Sequence, residues 1–345
     1  MYSESNHRMT PDESASLTPS GKNVRTARER VPRLKCIDAG SDYCPCHLAE
    51  AGECIVCSVI RGDAECSCDW TGTCILAQNR WLLGHGFRRE SRRVEILSRE
   101  DVGQGTEILH IRTPPKQASQ LTRPGSFVFV RGRPEGCYDT PLAVVKAFPG
   151  RREIVLAYTR LGPKTKTLAA CKNEIWLRGP YWNGILGHQL VESVHGERVI
   201  LILSGMAQVC GPNIARTLLR NGNKVSIIYG TKGYPFVAPY LQEVPAAYFI
   251  NLARPSGWRE IRSLLQQLRP YCVFSGGNDE QHALLKKNMT DLALEPRIAT
   301  SKTHKMCCGE GICGACITVA DGVQIRTCKT RLAPGEWQSN EGTRP

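Results

Sequence analysis

The cysteine run near the C-terminus constrains the fold of this chain more than any other stretch. Cysteines at 308, 313 and 316, followed by one at 328, give the spacing C-x4-C-x2-C-x11-C. Three thiolates from one loop and a fourth from further along are the plant-type arrangement for a [2Fe–2S] cluster. Glycines at 309, 311 and 314 permit the positive-φ turns that a loop around a cluster needs. We therefore predict a [2Fe–2S] cluster, rather than a zinc knuckle, on Cys308, Cys313, Cys316 and Cys328.

A second group of cysteines lies between residues 36 and 74. Short C-x-C and C-x2-C pairs place two thiolates on one metal, and eight thiolates complete two four-ligand sites; the eight are Cys36, Cys44, Cys46, Cys54, Cys57, Cys66, Cys68 and Cys74. This segment has few large apolar residues, so we expect it to fold around a metal or cluster. The spacing does not separate iron–sulfur from zinc. We favour iron–sulfur, because one cluster is already predicted, and keep zinc and metal-free thiols or disulfides as alternatives.

Composition restricts the class of protein. The chain has 345 residues, of which 41% are hydrophobic and 22% charged, and it is long enough for two or three globular domains. No apolar run approaches the roughly 20 residues of a membrane helix, and the N-terminus lacks the apolar core of a secretory signal. We expect a cytoplasmic protein without a membrane span. The net charge of +13 favours a solvated basic surface, or docking to an acidic redox partner, over nucleic-acid binding, because basic and aromatic residues do not alternate.

The sequence pattern predicts five segments. Residues 1–34 are rich in small polar, Pro and charged residues, which predicts a disordered basic tail, and residues 35–80 form the cysteine-rich segment. Short alternating strands at 90–192 predict an antiparallel barrel. Strands and helices alternate at 196–298, with one helix expected at Val237–Gln242, and this alternation predicts a parallel sheet. Residues 301–335 form a small cluster domain.

Two glycine-containing turns mark a candidate nucleotide site. Ligands of parallel α/β sheets bind beyond the carboxyl ends of the strands. Gly205 and Ala207 follow the first predicted strand of this sheet, and Gly276 and Gly277 follow a later one. Small residues there allow a nucleotide to approach, and a helix N-terminus favours its phosphates. Each turn is also compatible with a tight structural turn.

The order of these parts resembles the ferredoxin reductase superfamily. A barrel, an α/β domain and the C-terminal run CGEGICGAC occur in that order over roughly residues 91–335. Within the superfamily the pattern is most similar to the electron-transfer subunit of dihydroorotate dehydrogenase. The small subunits of sulfide dehydrogenase and of ferredoxin:NADP oxidoreductase share the plan. The resemblance implies FAD on the barrel, NAD(P)H on the α/β domain and the [2Fe–2S] cluster as the exit for electrons.

The resemblance also assigns flavin and nicotinamide contacts, with departures. The family motif Arg-Pro-x-Ser is represented by Thr140, Pro141, Leu142 and Ala143, so its arginine and serine are missing. The pyrophosphate stretch Tyr-Arg-x-x-Gly-x-Gly-Thr is matched at Tyr158, Gly162 and Thr165, with Lys164 replacing a glycine. The stretch 178–184 resembles a turn that closes the barrel, and we interpret it as structural. The nicotinamide side departs from the family as well. The stretch with Gly205 and Ala207 replaces the family pattern Gly-x-Gly-x-Ala-Pro, and the stretch with Gly276 and Gly277 replaces Cys-Gly-Pro.

These features predict a flavin and iron–sulfur electron-transfer subunit. It would pass electrons between NAD(P)H, FAD and the [2Fe–2S] cluster, to or from a catalytic oxidoreductase subunit or a ferredoxin-like partner. The N-terminal cysteines would add further clusters or bind zinc. Two alternatives remain open: a zinc-binding interaction module on a degenerate reductase scaffold, and the reductase component of an oxygenase. The residues do not separate NADH from NADPH.

Overall fold

The computed structural model describes residues 35–36, 43, 89–136, 138–230, 235–295, 297–302, 305–320 and 323–331. The predicted tail at 1–34 and all but the first of the eight N-terminal cysteines lie outside these residues. Two residues of the N-terminal part form a short strand, β1 (Lys35–Cys36). Among the described helices, none has the length and apolar character needed to cross a membrane.

Six antiparallel strands form the predicted barrel. They are β2 (Arg92–Asp101), β3 (Thr106–Arg112), β4 (Phe127–Arg131), β5 (Thr140–Phe148), β6 (Glu153–Thr159) and β7 (Glu174–Tyr181). The barrel closes in the order β2-β3-β6-β5-β4-β7. Alternate side chains, such as Leu109, Ile111, Leu142 and Val144, pack in its interior, as the period of two predicts. Two short helices, α1 (Pro115–Gln120) and α2 (Pro163–Ala169), each begin with proline, which suits the first helical turn.

The second half of the chain forms a six-stranded sheet with helices. Its strands are β8 (Ile185–Leu186), β9 (Arg198–Leu203), β10 (Lys224–Tyr229), β11 (Ala246–Phe249), β12 (Cys272–Gly276) and β13 (Ile298–Ser301). Its helices are α3 (His188–Ser193), α4 (Gly211–Arg220), α5 (Pro255–Leu268) and α6 (Asp279–Asp291). The strand order is β11-β10-β9-β12-β13-β8. Apolar strands such as β9 are buried on both faces, as expected for central parallel strands.

Two details of this half correct the sequence prediction. Strands β9 to β13 pair in parallel as predicted, but the whole sheet is mixed, because β8 pairs antiparallel with β13 at its edge. A strand of two residues is too short to show a period. The helix expected at Val237–Gln242 is only a 3-10 turn, Ala238–Tyr240. Pro239 lies inside that segment and has no backbone N–H to continue a helix.

The barrel and the sheet share one apolar core. Val145 of the barrel belongs to the same buried cluster as Val209 and Ile214, which lie beyond β9. Asn213 adds polar links, since its Nδ2 donates to the carbonyls of Leu121 at 3.2 Å and Val144 at 3.3 Å. The continuous core fixes the barrel relative to the carboxyl edge of the sheet.

The C-terminal part packs on the end of the barrel. A hairpin of β14 (Ile317–Ala320) and β15 (Val323–Arg326) follows the cysteine loop. The last described strand, β16 (Thr330–Arg331), pairs antiparallel with β1.

Candidate functional site

A cleft opens at the carboxyl ends of the parallel strands, where the sequence predicts a nucleotide. Its volume is about 790 Å³, within the size range of small-molecule sites. The lining residues that follow strands β9 and β12 include Gly205, Ala207 and Gly277. Gly276 supports the cleft from behind, because a Cβ there would lie 3.1 Å from the Ala207 carbonyl oxygen. The four predicted nucleotide-binding residues therefore come together at one edge of the sheet.

The two loops of the cleft are joined to each other by hydrogen bonds. The Ser204 backbone N–H donates to the Gly276 carbonyl at 2.8 Å. The Gln281 side chain accepts from the Ser204 hydroxyl and donates to Ser275 Oγ at 3.1 Å and to the Gly276 carbonyl at 3.3 Å. Gln281 is 6% exposed, so it holds both loops at a fixed separation. Sequence reasoning did not identify Gln281, since a lone glutamine on a helix carries no motif.

The walls of the cleft suit a flat heterocycle and a polar sugar. Met206, Leu252 and Trp258 provide apolar surface, and an indole can stack on an aromatic ring. Asn278 and Glu280 provide polar groups at the start of α6. The Asn278 side chain caps that helix by accepting from the Gln281 N–H at 3.0 Å, a typical N-cap interaction.

The residues that match the flavin motif lie at the start of β5. Pro141 and Ala143 are half-buried and pair with Phe129 and Phe127 of β4. Leu142 points into the barrel core and is 7% exposed. At this position the chain therefore offers backbone and small apolar groups, without the missing serine hydroxyl.

A lysine lies where the arginine of the flavin motif is missing. The Lys164 Nζ donates to the Asp139 carbonyl at 3.2 Å, and Asp139 immediately precedes Thr140. The same ammonium group lies 5.2 Å from the centre of the Tyr138 ring. Lys164 and Tyr138 are both exposed, so this cation is accessible to an anionic group at the start of β5. The residues present thus fit the phosphate end of FAD, and for the flavin ring they provide only backbone and apolar contacts.

The other residues of the pyrophosphate stretch have structural contacts. Tyr158 is buried in the barrel, where its hydroxyl bonds to Glu107. Burial and this carboxylate raise the pKa of Tyr158. Thr165 Oγ1 accepts from the Gly162 N–H at 3.2 Å and caps α2. Gly162 borders open space, since no heavy atom lies within 4 Å of a Cβ built there. Of these three matches, only Gly162 leaves room for a ligand.

The C-terminal cysteines are arranged as two close pairs. The thiols of Cys308 and Cys313 are within hydrogen-bonding distance, and so are those of Cys316 and Cys328. In the part of the chain that the structure describes, no three His, Cys, Asp or Glu side chains form a ready metal site. Two pairs nevertheless match the chemistry of a [2Fe–2S] cluster, in which each of two irons takes two thiolates.

The backbone of the cysteine loop is shaped for thiolates. The N–H groups of Glu310 and Cys313 donate to Cys308 Sγ at 3.3 and 3.4 Å. Burial raises the pKa of the Cys308 thiol, and these hydrogen bonds oppose that rise because they favour the anionic form. Gly309, Gly311 and Gly314 have φ values of 71°, 73° and 72°, which confirms the positive-φ turns expected from the sequence. Cys307 is exposed, whereas Cys308 receives the amide bonds, so Cys308 is the better-placed ligand of the two.

The two thiols of the second cysteine pair differ in pKa. Hydrogen bonding from Cys328 is the main cause that lowers the pKa of Cys316 to about 6, and the pKa of Cys328 is raised. The Lys302 ammonium also favours the anionic form of Cys316. A thiolate held beside a second thiol is a suitable starting point for metal binding.

The N-terminal cysteine segment meets the cluster region at two described points. Cys36 pairs with Thr330, two residues after Cys328. Tyr43 is next to Cys44 in sequence, and the centre of its ring lies 4.4 Å from the guanidinium carbon of Arg89. Cys44, Cys46, Cys54, Cys57, Cys66, Cys68 and Cys74 lie outside the described residues, so their ligation stays a prediction.

Comparison with known proteins gives two relatives in sequence. No protein-family model matches the chain. It is 24% identical over 241 residues to the electron transfer subunit of dihydroorotate dehydrogenase B (NAD(+)) from Shouchella clausii, covering 67% of this chain and 89% of that protein. It is 26% identical over 241 residues to the sulfhydrogenase 2 gamma subunit of Pyrococcus furiosus, covering 60% of this chain and 81% of that protein.

A solved structure shares the architecture. The NADH-dependent reduced ferredoxin-NADP oxidoreductase, studied for flavin-based electron bifurcation, matches with a TM-score of 0.57 and 19% identity, over 70% of this chain and 86% of that chain. At this identity the likeness concerns the fold, a closed barrel followed by a mixed sheet. Together with the two relatives in sequence, this shared fold supports the resemblance to the ferredoxin reductase superfamily that the sequence indicates.

Proposed function

We propose that this chain is an NAD(P)H-dependent flavin and iron–sulfur oxidoreductase that serves as the electron-transfer subunit of a larger enzyme. The two relatives support this proposal by their names, since one is an electron transfer subunit of an NAD(+)-dependent dehydrogenase and the other a subunit of a sulfhydrogenase. The physiological partner would be a catalytic oxidoreductase subunit or a ferredoxin-like protein.

One arrangement carries the proposal: the nucleotide cleft and the cysteine loop both adjoin the barrel. The cleft begins at β9, which shares the apolar core of the barrel. The loop rests on β4 and β7, where a Cβ on Gly309 would lie 2.7 Å from the Phe129 ring. A redox group on the barrel would therefore have a nucleotide on one side and a cluster on the other.

The barrel residues that would hold FAD are the start of β5 and Lys164. The ammonium group of Lys164 would bind the phosphates in a charge-assisted hydrogen bond, while Thr140, Pro141 and Ala143 would face the flavin with backbone and small side chains. When bound, a flavin supplies the ability to exchange a hydride on one side and single electrons on the other.

The cleft would hold the nicotinamide nucleotide. Gly205, Ala207, Gly276 and Gly277 leave the loops without bulky side chains, and Gln281 fixes the distance between them. Trp258 would contact one ring of the dinucleotide. No acid–base residue is required, because the chain contributes position and exclusion of water.

The C-terminal cysteine pairs would hold the [2Fe–2S] cluster, and the N-terminal cysteines would hold further iron–sulfur centres. The strand pair between Cys36 and Thr330 supports this extension. Paired residues of an antiparallel ladder have Cα atoms about 5 Å apart, and Cys328 is two residues from Thr330. An N-terminal centre that includes Cys36 would thus lie close to the cluster and could relay its electrons.

Anaerobic purification with measurement of FAD, iron, acid-labile sulfide and zinc tests the proposal. We expect flavin and iron–sulfur absorption that bleaches when NADH or NADPH is added. Colourless protein without metal or flavin would contradict the function. Iron that exceeds two atoms per chain would support N-terminal clusters.

The second candidate function is a zinc-binding interaction module on a degenerate scaffold. Thr140 and Ala143 in the flavin motif favour it, because they stand where the family has an arginine and a serine and so remove polar contacts to a flavin. Zinc without iron, sulfide or flavin in the full-length protein would select this function, whereas acid-labile sulfide would exclude it.

A further inference from the structure

We infer that Glu310 is a positioning residue that fastens the cysteine loop to the end of the barrel and so fixes the place of its cluster. The inference rests on the proposed [2Fe–2S] site. Glu310 stands two residues after Cys308, inside the predicted ligand loop. Its side chain points away from the thiols and into a group of cations.

The Glu310 carboxylate contacts the side chains of four described residues. Oε2 accepts from Arg89 Nη1 at 3.0 Å and from Lys329 Nζ at 3.0 Å. Oε1 accepts from the Tyr181 hydroxyl at 2.6 Å and lies 3.6 Å from Arg178 Nη1. Only 12% of the Glu310 side chain is exposed. A carboxylate shielded from water and surrounded by cations interacts more strongly than a surface ion pair.

These neighbours come from different parts of the chain. Arg178 and Tyr181 belong to β7, Arg89 immediately precedes the barrel, and Lys329 follows Cys328. One carboxylate thus joins the barrel to the loop of the first three cysteines and to the segment of the fourth. This convergence distinguishes Glu310 from an ordinary surface acid, which would contact one neighbour and gain little.

Arg178 strengthens the connection on the barrel side. Its Nη1 donates to the carbonyl of Cys308 at 3.1 Å, so the same guanidinium holds the backbone of a predicted ligand. Its Nη2 donates to Asp139 Oδ2 at 2.8 Å. Because Asp139 precedes Thr140, the ionic network extends from the cysteine loop to the strand on which FAD is proposed.

The fourth cysteine is held from the same strand end. Asn183 Nδ2 donates to the Thr330 carbonyl at 2.8 Å and also to the Thr327 carbonyl. The two carbonyls lie on either side of Cys328. The stretch 178–184, interpreted from sequence as a turn that closes the barrel, therefore also binds the backbone of the cysteine region through hydrogen bonds.

The network also includes the N-terminal segment. The Arg89 guanidinium carbon lies 4.4 Å from the centres of the Tyr43 and Tyr181 rings, one on the N-terminal segment and the other on the barrel. Arg89 is 4% exposed. Loss of Glu310 would remove an anion from beside this buried cation, and removing one partner of a buried ion pair is strongly unfavourable. The effect of a Glu310 substitution should therefore spread to the whole cysteine loop.

The test compares Glu310→Gln and Glu310→Asp with a control, Glu95→Gln. Glu95 forms an exposed ion pair with Arg112 at 2.7 Å, so the control removes one carboxylate at a distance from the network. We would measure hydrogen exchange of the amides in residues 306–316 and the electron paramagnetic resonance spectrum of the reduced cluster. Both report the position of the loop without relying on turnover.

For Glu310→Gln we expect exchange about tenfold faster in residues 306–316 and a broader, shifted resonance. Glu310→Asp, which keeps the charge but has a shorter reach, should fall between this variant and the wild type, and Glu95→Gln should match the wild type. Exchange and spectra of Glu310→Gln that equal the wild type would overturn the inference.

Two further results keep the test decisive. If Glu310→Gln does not accumulate, Lys329→Gln removes one of the cations, and an unchanged exchange rate in that variant would also overturn the inference. If the wild type contains no cluster, the proposed function fails, while hydrogen exchange still tests whether Glu310 holds the loop.

Discussion

His188 gives a prediction that follows directly from burial. It is 2% exposed, and its Nε2 lies 2.7 Å from the Trp182 carbonyl oxygen. Burial, with added repulsion from Arg331, Arg123 and Lys302, lowers its pKa from 6.5 to about 3. The neutral ring must donate from Nε2 to this carbonyl, because the carbonyl has no hydrogen to give.

The sign and size of the pH effect follow from linkage. Between pH 6.5 and 3 the unfolded chain binds a proton at His188 and the folded chain does not, so stability falls as the pH falls. Each pKa unit corresponds to about 1.4 kcal/mol. A pH of 5 lies about 1.5 units below the pKa of His188 in the unfolded chain. His188 therefore lowers the free energy of unfolding by about 2 kcal/mol between pH 7 and pH 5.

His188→Gln separates this contribution from all others. The Gln amide can still donate to Trp182 but cannot titrate, so the difference in unfolding free energy between variant and wild type should shift by about 2 kcal/mol in favour of the variant from pH 7 to pH 5. Urea denaturation at each pH measures this shift. His282, whose pKa burial lowers to about 4, contributes in both proteins and cancels.

The matched control is His195→Gln, at an exposed histidine, which should follow the wild type at every pH. Parallel curves for wild type and His188→Gln would refute the argument, because they would mean that His188 titrates alike in the folded and unfolded chain.

The remaining predictions concern the three proposed sites. Gln281→Leu should raise the KM for NADH or NADPH about tenfold in steady-state assays and leave FAD content unchanged, because it releases the two loops of the cleft. Lys164→Gln should weaken FAD binding about tenfold in fluorescence titration, the size of one charge-assisted hydrogen bond, whereas Lys166→Gln should not. Gly309→Ala should lower iron and sulfide content at least by half, because φ of 71° costs an alanine roughly 1–2 kcal/mol and its Cβ would lie 2.7 Å from Phe129. A variant that behaves like the wild type in its assay would contradict the role assigned to that residue.

Much of the fold was predictable because it is encoded in short-range patterns. The barrel strands alternate with period two, and β9 is a continuous apolar run, so both could be assigned from side-chain periodicity. The edge strand β8 could not, since two residues carry no period. The helix expected near Pro239 was also wrong. The apolar residues of that segment suit a helix, but the proline has no backbone N–H to donate within one.

Part of the candidate site was predictable for the same reason. Glycines and cysteines at fixed spacings have few structural roles, so Gly205, Gly277 and Cys308 could be selected as site residues. Gln281, Lys164 and Glu310 could not be assigned in this way. Each of these side chains contacts groups that are distant in sequence or lie beyond a turn. In addition, glutamine, lysine and glutamate are most often solvated surface residues.

Local sequence patterns indicated the kinds of candidate site in this chain: a cysteine loop with the spacing of [2Fe–2S] ligands, glycine turns at strand ends and a barrel before a sheet. Local spacing is enough for this, because a ligand loop or a strand is defined by neighbours along the chain. How these candidate sites are connected is visible only in the folded chain. The Glu310 carboxylate reaches Arg89, which is 221 residues away in the chain, and no local pattern encodes a contact at that separation. The cysteine loop is therefore predictable as a ligand set, whereas its attachment to the barrel is a property of the folded chain.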